Sequence, residues 1–157
     1  QAGNASMLLT ADCVETAARP LGIAVRRYPL QGWQDVEALP SALSREPVDG
    51  LLVLFERLTY DYRAEIVQMV NGLRLHTVYG SRFFIEAGGL VSFGIDWFGL
   101  MTGSADYVAR VLGGARPAEL PVQQSTRFDL VVNRRSARTL GVTIPQAVLL
   151  QATEVVE

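Results

Sequence analysis

Polar and charged side chains follow two apolar stretches of the chain, residues 50–55 and 75–79. Their chemistry suits the binding of a small charged solute. Five such residues follow these stretches, and a glycine lies among them: Glu56, Arg57, Thr59, Gly80, Ser81 and Arg82. A guanidinium pairs well with a carboxylate, and a carboxylate pairs with an ammonium group. These residues could therefore contact both charged groups of an amino-acid-like solute, or they could be ordinary solvated loop charges.

Four further residues are candidates for solute contact, and each has an ordinary structural alternative: Asn4, Ser6, Phe93 and Asp96. Asn4 and Ser6 precede or open a predicted helix, whose free amides attract anions, but both residue types are also common helix caps. Phe93 could stack on an aromatic ligand or belong to the core. Asp96 could cap the helix that follows it.

The sequence contains no recognisable catalytic or metal-binding pattern. Its glycines lack the spacing of a phosphate-binding loop, and none of its basic residues is a lysine, which excludes a Schiff-base or P-loop lysine. The one histidine, His76, cannot form a two-histidine metal site. We therefore expect no enzymatic activity, no metal and no cofactor.

Length and charge narrow the class of protein. The 157 residues, 49% of them hydrophobic, are enough for one domain with a substantial core. The net charge of -2 and the absence of a basic run argue against a nucleic-acid partner. No apolar run approaches the ~20 residues of a membrane span. The lone Cys13 excludes an intramolecular disulfide but leaves the compartment undecided.

Helix and strand patterns alternate along the chain. They predict helices at 6–21, 59–74, 96–113 and 134–140, and strands at 23–28, 50–55, 75–79, 90–95 and 128–132. Pro40 either kinks a helix around residues 33–43 or begins one. This alternation is typical of a three-layer α/β sandwich with a mostly parallel sheet.

The apolar run at residues 50–55 shows no alternation, which favours a strand buried on both faces at the centre of a parallel sheet. Thr59 is predicted to cap the helix that follows. Ligands of open α/β sheets bind outside the carboxyl ends of the strands. The polar loops after residues 55 and 79 should therefore lie side by side at one edge and form the binding site.

Four stretches carry a resemblance to a known family. They are VDGLLV (48–53), YGSRFFIEAGGLVSFG (79–94), YVARVLGGARPAELPV (107–122), and the C-terminal series STRFDLVVN (125–133), ARTLGVTIP (137–145) and ATEVVE (152–157). In order and spacing they resemble the C-terminal half of the ABC-transporter substrate-binding proteins related to tryptophan- and tyrosine-binding proteins.

The resemblance implies a periplasmic-binding-protein type I fold, in which two α/β lobes close on a small solute without catalysis. Residues 1–157 would form a single C-terminal lobe region, and residues 90–133 would cross to the other lobe. The protein would be the solute-binding component of an ABC-type uptake transporter, with an ABC permease as partner. It would be periplasmic or in the bacterial cell envelope, with no leader in this chain. The alternative is a ligand-sensing regulatory module of a signalling system.

The same resemblance leaves an apolar helix surface without its partner lobe. This surface comprises Phe98, Met101, Ala105, Val108 and Leu112. The first strand of the lobe would also be missing, so a sheet edge would be free to pair. We therefore expect this chain to form a homodimer.

Overall fold

One mixed sheet organises the computed structural model, which describes residues 5–157. Five strands lie in the order β1-β2-β3-β4-β5: β1 (Gly50–Val53), β2 (His76–Tyr79), β3 (Val91–Ile95), β4 (Phe128–Asn133) and β5 (Glu154–Val156). Every neighbouring pair is parallel except β3 and β4, which are antiparallel. The prediction of an α/β fold with a mostly parallel sheet is confirmed.

Helices connect the strands and flank the sheet. They are α1 (Ala5–Ala18), α2 (Trp33–Arg45), α3 (Arg57–Asp61), α4 (Arg63–Gly72), α5 (Phe83–Glu86), α6 (Trp97–Leu112), α7 (Arg134–Leu140) and α8 (Gln146–Gln151). Within residues 5–157, no helix has both the length and the apolar character needed to cross a membrane.

Two hydrophobic clusters hold one face of the sheet against its helices. In the first, Val36 of α2 packs against Ile66 and Val70 of α4. In the second, Tyr79 and Phe84 are fully buried and their rings stack with centroids 4.9 Å apart. Burial raises the pKa of Tyr79 to about 12, because the charged phenolate is poorly solvated there. These clusters fix the positions of β1 and β2, whose carboxyl ends frame the site described below.

The predicted central strand is wrong in its place and its length. β1 has four residues and lies at the end of the strand order, and Leu52 is 47% exposed. An unbroken apolar run indicates only that the segment lacks polar residues. The run does not indicate how many neighbouring strands or helices cover the strand.

The predicted strand at residues 23–28 is absent, because no described strand pairs with this segment. Ile23 is 57% exposed, although Ile23 and Val25 alternate with smaller or charged residues as in a strand. Ion pairs hold the segment against α1 instead, since the Arg27 side chain donates to Asp12 and Glu15. Strand propensity is not sufficient without a neighbour that completes the hydrogen-bond ladder.

Local features of the helices decide between alternatives or differ from prediction. α2 runs through Pro40, which excludes the alternative that a helix begins there. Glu56, not Thr59, caps the helix after β1, and that helix is divided into α3 and α4. Strand β5 was not predicted from its three residues.

Residues 96–127, here called the excursion, leave the sheet between β3 and β4. These strands pair from Val91 with Val132 out to Ile95 with Phe128, so they form a two-stranded ribbon at the base of the excursion. The amide of Asp96 donates to the carbonyl of Arg127 at 3.1 Å, which closes that base. α6, the main helix of the excursion, has no fully buried residue.

Candidate functional site

An open cavity of about 580 Å³ lies where the carboxyl end of β1 meets the start of the excursion. Its lining comes from several elements and comprises Met7, Phe55, Glu56, Arg57, Tyr60, Ile95 and Trp97. Two charged side chains thus lie beside a mainly apolar surface. A cavity with this composition can hold a small solute that carries both charged and apolar groups.

Four rings form an aromatic wall, of which the first three line this cavity and the fourth packs on Phe55 and Tyr60: Phe55, Tyr60, Trp97 and Phe83. The centroid of Phe55 lies 5.4 Å from that of Trp97 and 5.8 Å from that of Tyr60. Phe83 lies behind Tyr60, with centroids 5.4 Å apart and planes at 73°. Edge-to-face and tilted contacts of this kind hold the rings in defined orientations. The wall therefore offers a preformed apolar surface to a flat or bulky apolar group.

A capping box shapes the charged loop between β1 and α3. The Glu56 carboxylate accepts from the amide of Leu58 at 2.9 Å, and the Thr59 hydroxyl accepts from the amide of Glu56 at 3.0 Å. The Thr59 hydroxyl also donates to the carbonyl of Leu54 at 2.8 Å. Thr59 is only 6% exposed and does not line the cavity. Its contribution is to hold Glu56 and Arg57 in place.

Arg57 is the cation at the mouth of the cavity, with a side chain that is 83% exposed. Its Nε donates to Asp61 at 2.6 Å, and this hydrogen bond raises the pKa of Arg57. The pair joins the two ends of α3. A guanidinium has five N–H donors, so the bond to Asp61 leaves donors for a solute carboxylate.

The loop after β2 lies beside the loop after β1, as predicted. A Cβ added at Gly80 would lie only 2.9 Å from the amide nitrogen of Phe55, so the two backbones are in close contact. The side chains of Ser81 and Arg82, however, do not line the cavity. Ser81 is fully buried, and Arg82 donates to Glu154 at 2.8 Å.

The remaining predicted site residues lie elsewhere or outside the described residues. Phe93 stacks on Phe128 on the exposed face of the sheet, with centroids 5.5 Å apart. Asp96 caps α6 by accepting from the amide of Gly99 at 2.8 Å. The carbonyl of Ser6, in the first turn of α1, accepts from Thr10. Asn4 lies outside the described residues.

Sequence reasoning missed the apolar lining of the cavity. Phe55 immediately precedes Glu56, and Trp97 immediately follows Asp96, so both flank residues that were predicted. Attention to apolar neighbours of the polar candidates would have found them. Within residues 5–157, no group of three or more His, Cys, Asp or Glu residues is arranged to hold a metal ion.

A family model described as ABC transporter substrate binding protein matches residues 3–156 of the chain. The chain belongs to this family. Its members bind substrates and are not catalysts, and the resemblance found in the sequence is confirmed. A comparison with curated proteins finds no match.

Three solved structures share the fold of this substrate-binding family member. A conserved domain protein from Vibrio cholerae has 27% identity and a TM-score of 0.86, over 98% of this chain and 51% of its own. The ABC domain in complex with L-Trp from Streptococcus pneumoniae has 23% identity and a TM-score of 0.85, over 96% and 50%. The ligand-free, open form of a substrate-binding protein with adhesive properties from Clostridium difficile has 17% identity and a TM-score of 0.69, over 99% and 51%. The chain spans about half the length of each.

The capping box generates a prediction about the loop that carries Glu56 and Arg57. Thr59→Ala removes the hydroxyl that bonds to Leu54 and Glu56, and we expect a loss of about 1–2 kcal/mol in the free energy of unfolding. Thr59→Ser keeps the hydroxyl and should lose much less. Urea unfolding followed by circular dichroism measures both variants. Equal stability of the two would show that the hydroxyl does not hold the loop.

Proposed function

We propose that this chain is a lobe region of the solute-binding component of an ABC-type uptake transporter. It contributes one wall of a cleft in which a small amino-acid-like solute binds without being chemically changed. The observation that carries this proposal is the cavity that combines Glu56 and Arg57 with the aromatic wall. Membership of the substrate-binding family supports it.

The chemistry of the cavity favours an amino acid with an aromatic or large apolar side chain. Arg57 offers N–H donors to the solute carboxylate, and Glu56 offers an acceptor to its ammonium group. Phe55, Tyr60 and Trp97 would contact the side chain, where ring stacking adds to apolar burial. The L-Trp bound to the structurally similar pneumococcal domain is consistent with this choice.

The second wall of the cleft would come from the half of the protein that this chain does not span. On this proposal residues 90–133 cross to that other lobe, and the exposed side of α6 packs against it. Four apolar side chains of this helix are each more than half exposed: Phe98, Met101, Val108 and Leu112. They form an apolar surface large enough to bind another protein surface. In the complete protein we place this assembly in the periplasm or cell envelope, where it delivers solute to an ABC permease.

The aromatic wall can be tested by ligand binding to the complete two-lobe protein. Calorimetry against a panel of amino acids should find micromolar or tighter binding for one with an aromatic or large apolar side chain. Trp97→Ala should then weaken binding by roughly tenfold or more, because it removes a stacking partner and apolar contact area.

A matched control uses the chain's other tryptophan. Trp33 packs on Tyr62 in the first hydrophobic cluster, away from the cavity. Trp33→Phe should therefore leave the affinity unchanged. No binding to any amino acid in the panel would refute the proposed solute class, and undiminished binding by Trp97→Ala would remove the aromatic wall from the site.

For the 157-residue chain alone, we propose that the exposed face of α6 drives formation of a homodimer. Met101 is 63% exposed and Leu112 is 82% exposed. Burial of a large apolar side chain is worth about 1.5–3 kcal/mol, so covering several on two copies would favour association at micromolar concentration. Light scattering should report twice the monomer mass, and Met101→Glu should shift the chain towards monomer. A monodisperse monomer before any substitution would contradict this proposal.

A further inference from the structure

The loop after β2 touches both strands of the ribbon that carries the excursion. On β3, Gly94 lies so close to Gly80 that an added Cβ would overlap the Gly80 carbonyl, and its next nearest neighbour would be Ser81 Cα, 3.3 Å away. On β4, Asp129 is the strand partner of Gly94 and faces Arg82, with Arg82 Nη1 3.8 Å from Asp129 Oδ2. The loop thus contacts both residues of a single cross-strand pair of the ribbon.

Arg82 extends this contact from the sheet to the first turn of α6. Its Nη2 donates to Glu154 Oε2 at 2.8 Å, which anchors the guanidinium to β5. The guanidinium carbon also lies 5.3 Å from the ring centroid of Phe98, in a cation–π arrangement. One side chain therefore joins β5, the ribbon and α6.

The electrostatic balance at this point depends on the positive charge of Arg82, which pairs with both Asp129 and Glu154. The side chain of Asp129 is 13% exposed and that of Arg82 is 24% exposed, so the pair is largely shielded from water. Without Arg82, the carboxylates of Asp129 and Glu154 would lose their shared counter-charge and repel each other. Loss of the cation would thus disturb the base of the excursion more than a typical surface ion pair would.

We propose that Arg82 is a positioning residue that fixes the direction in which the ribbon carries α6 away from the sheet. This inference rests on the proposed function, in which the excursion crosses to the second lobe. Arg82 would then set the resting separation of the two walls of the cleft, and through it the population that is ready to bind solute. It does so without touching the solute, since its side chain does not line the cavity.

The direct test measures the position of α6 relative to the body of the sheet, in the complete two-lobe protein and without solute. Spin labels are placed at the exposed positions Gln68 of α4 and Ser104 of α6, in a Cys13→Ser background that removes the exposed native thiol. Pulsed electron paramagnetic resonance then gives the distribution of distances between them. We expect Arg82→Gln to broaden or shift this distribution.

Matched variants separate positioning from general destabilisation. Arg134 forms an exposed ion pair with Glu157, at 2.9 Å, at the end of β4 opposite the excursion, so Arg134→Gln should leave the distribution unchanged. Arg82→Lys keeps the charge and should restore part of the wild-type distribution. If Arg82→Gln does not fold, Asp129→Asn removes the ribbon's carboxylate and should broaden the distribution in the same way.

Solute binding provides a second measurement that distinguishes the two proposals. In the complete protein, Arg82→Gln should change the Kd by roughly tenfold, while Arg134→Gln should not. If wild type binds no solute but the distances respond as predicted, the proposed function fails and the positioning role stands. If the distances of folded Arg82→Gln and Asp129→Asn match those of wild type, the positioning role is overturned, whatever the solute does.

Discussion

Parallel pairing of β1 with β2 is the constraint on which the candidate site depends. The register runs from Gly50 with His76 to Val53 with Tyr79, so both strands end at the same level of one edge. The chain must then turn twice in the same small space, and Gly80 permits the close approach to Phe55 that this requires. Burial of Tyr79 and Phe84 holds the second strand from beneath. The position of the loop with Glu56 and Arg57 therefore follows from the packing of the sheet.

In the proposed function, the start of the excursion links this edge to the second wall of the cleft. Ile95 and Trp97 line the cavity, whereas Phe98, the next residue, contacts Arg82. A change in the direction of the ribbon would move Trp97 relative to Phe55, whose rings are 5.4 Å apart. The aromatic wall is in this way built partly from the fixed sheet and partly from the segment that leaves it. Solute binding and movement of the excursion should consequently be coupled.

Much of the fold could be predicted from the sequence, because the spacing of apolar residues indicates which side of a helix or strand is apolar. The helix predicted at 96–113 forms as α6, and the strands ending near Tyr79 and Ile95 lie where they were expected. Strand neighbours were not predictable in the same way. The run at 50–55 is apolar enough for a central strand, yet β1 ends the strand order, and residues 23–28 have strand propensity without a partner.

The site was predicted less completely, because polar residue types were taken to mark solute contacts. Glu56 and Arg57 do line the cavity, but Thr59 and Ser81 are buried within the loops that hold it. Arg82 is bound by carboxylates that are 47 and 72 residues away in the chain, a pairing that no local pattern reveals. The apolar lining was missed because aromatic side chains such as those of Phe55 and Trp97 are usually core residues.

The two tryptophans allow one measurement to test the claim that the aromatic wall at the end of β1 binds the solute. Incorporation of 5-fluorotryptophan gives one fluorine resonance for Trp97 in the cavity and one for Trp33 in the first hydrophobic cluster. During titration of the complete protein with its amino-acid solute, the Trp97 resonance should shift in proportion to saturation while the Trp33 resonance stays unchanged. Saturable binding that leaves the Trp97 resonance in place would contradict the account.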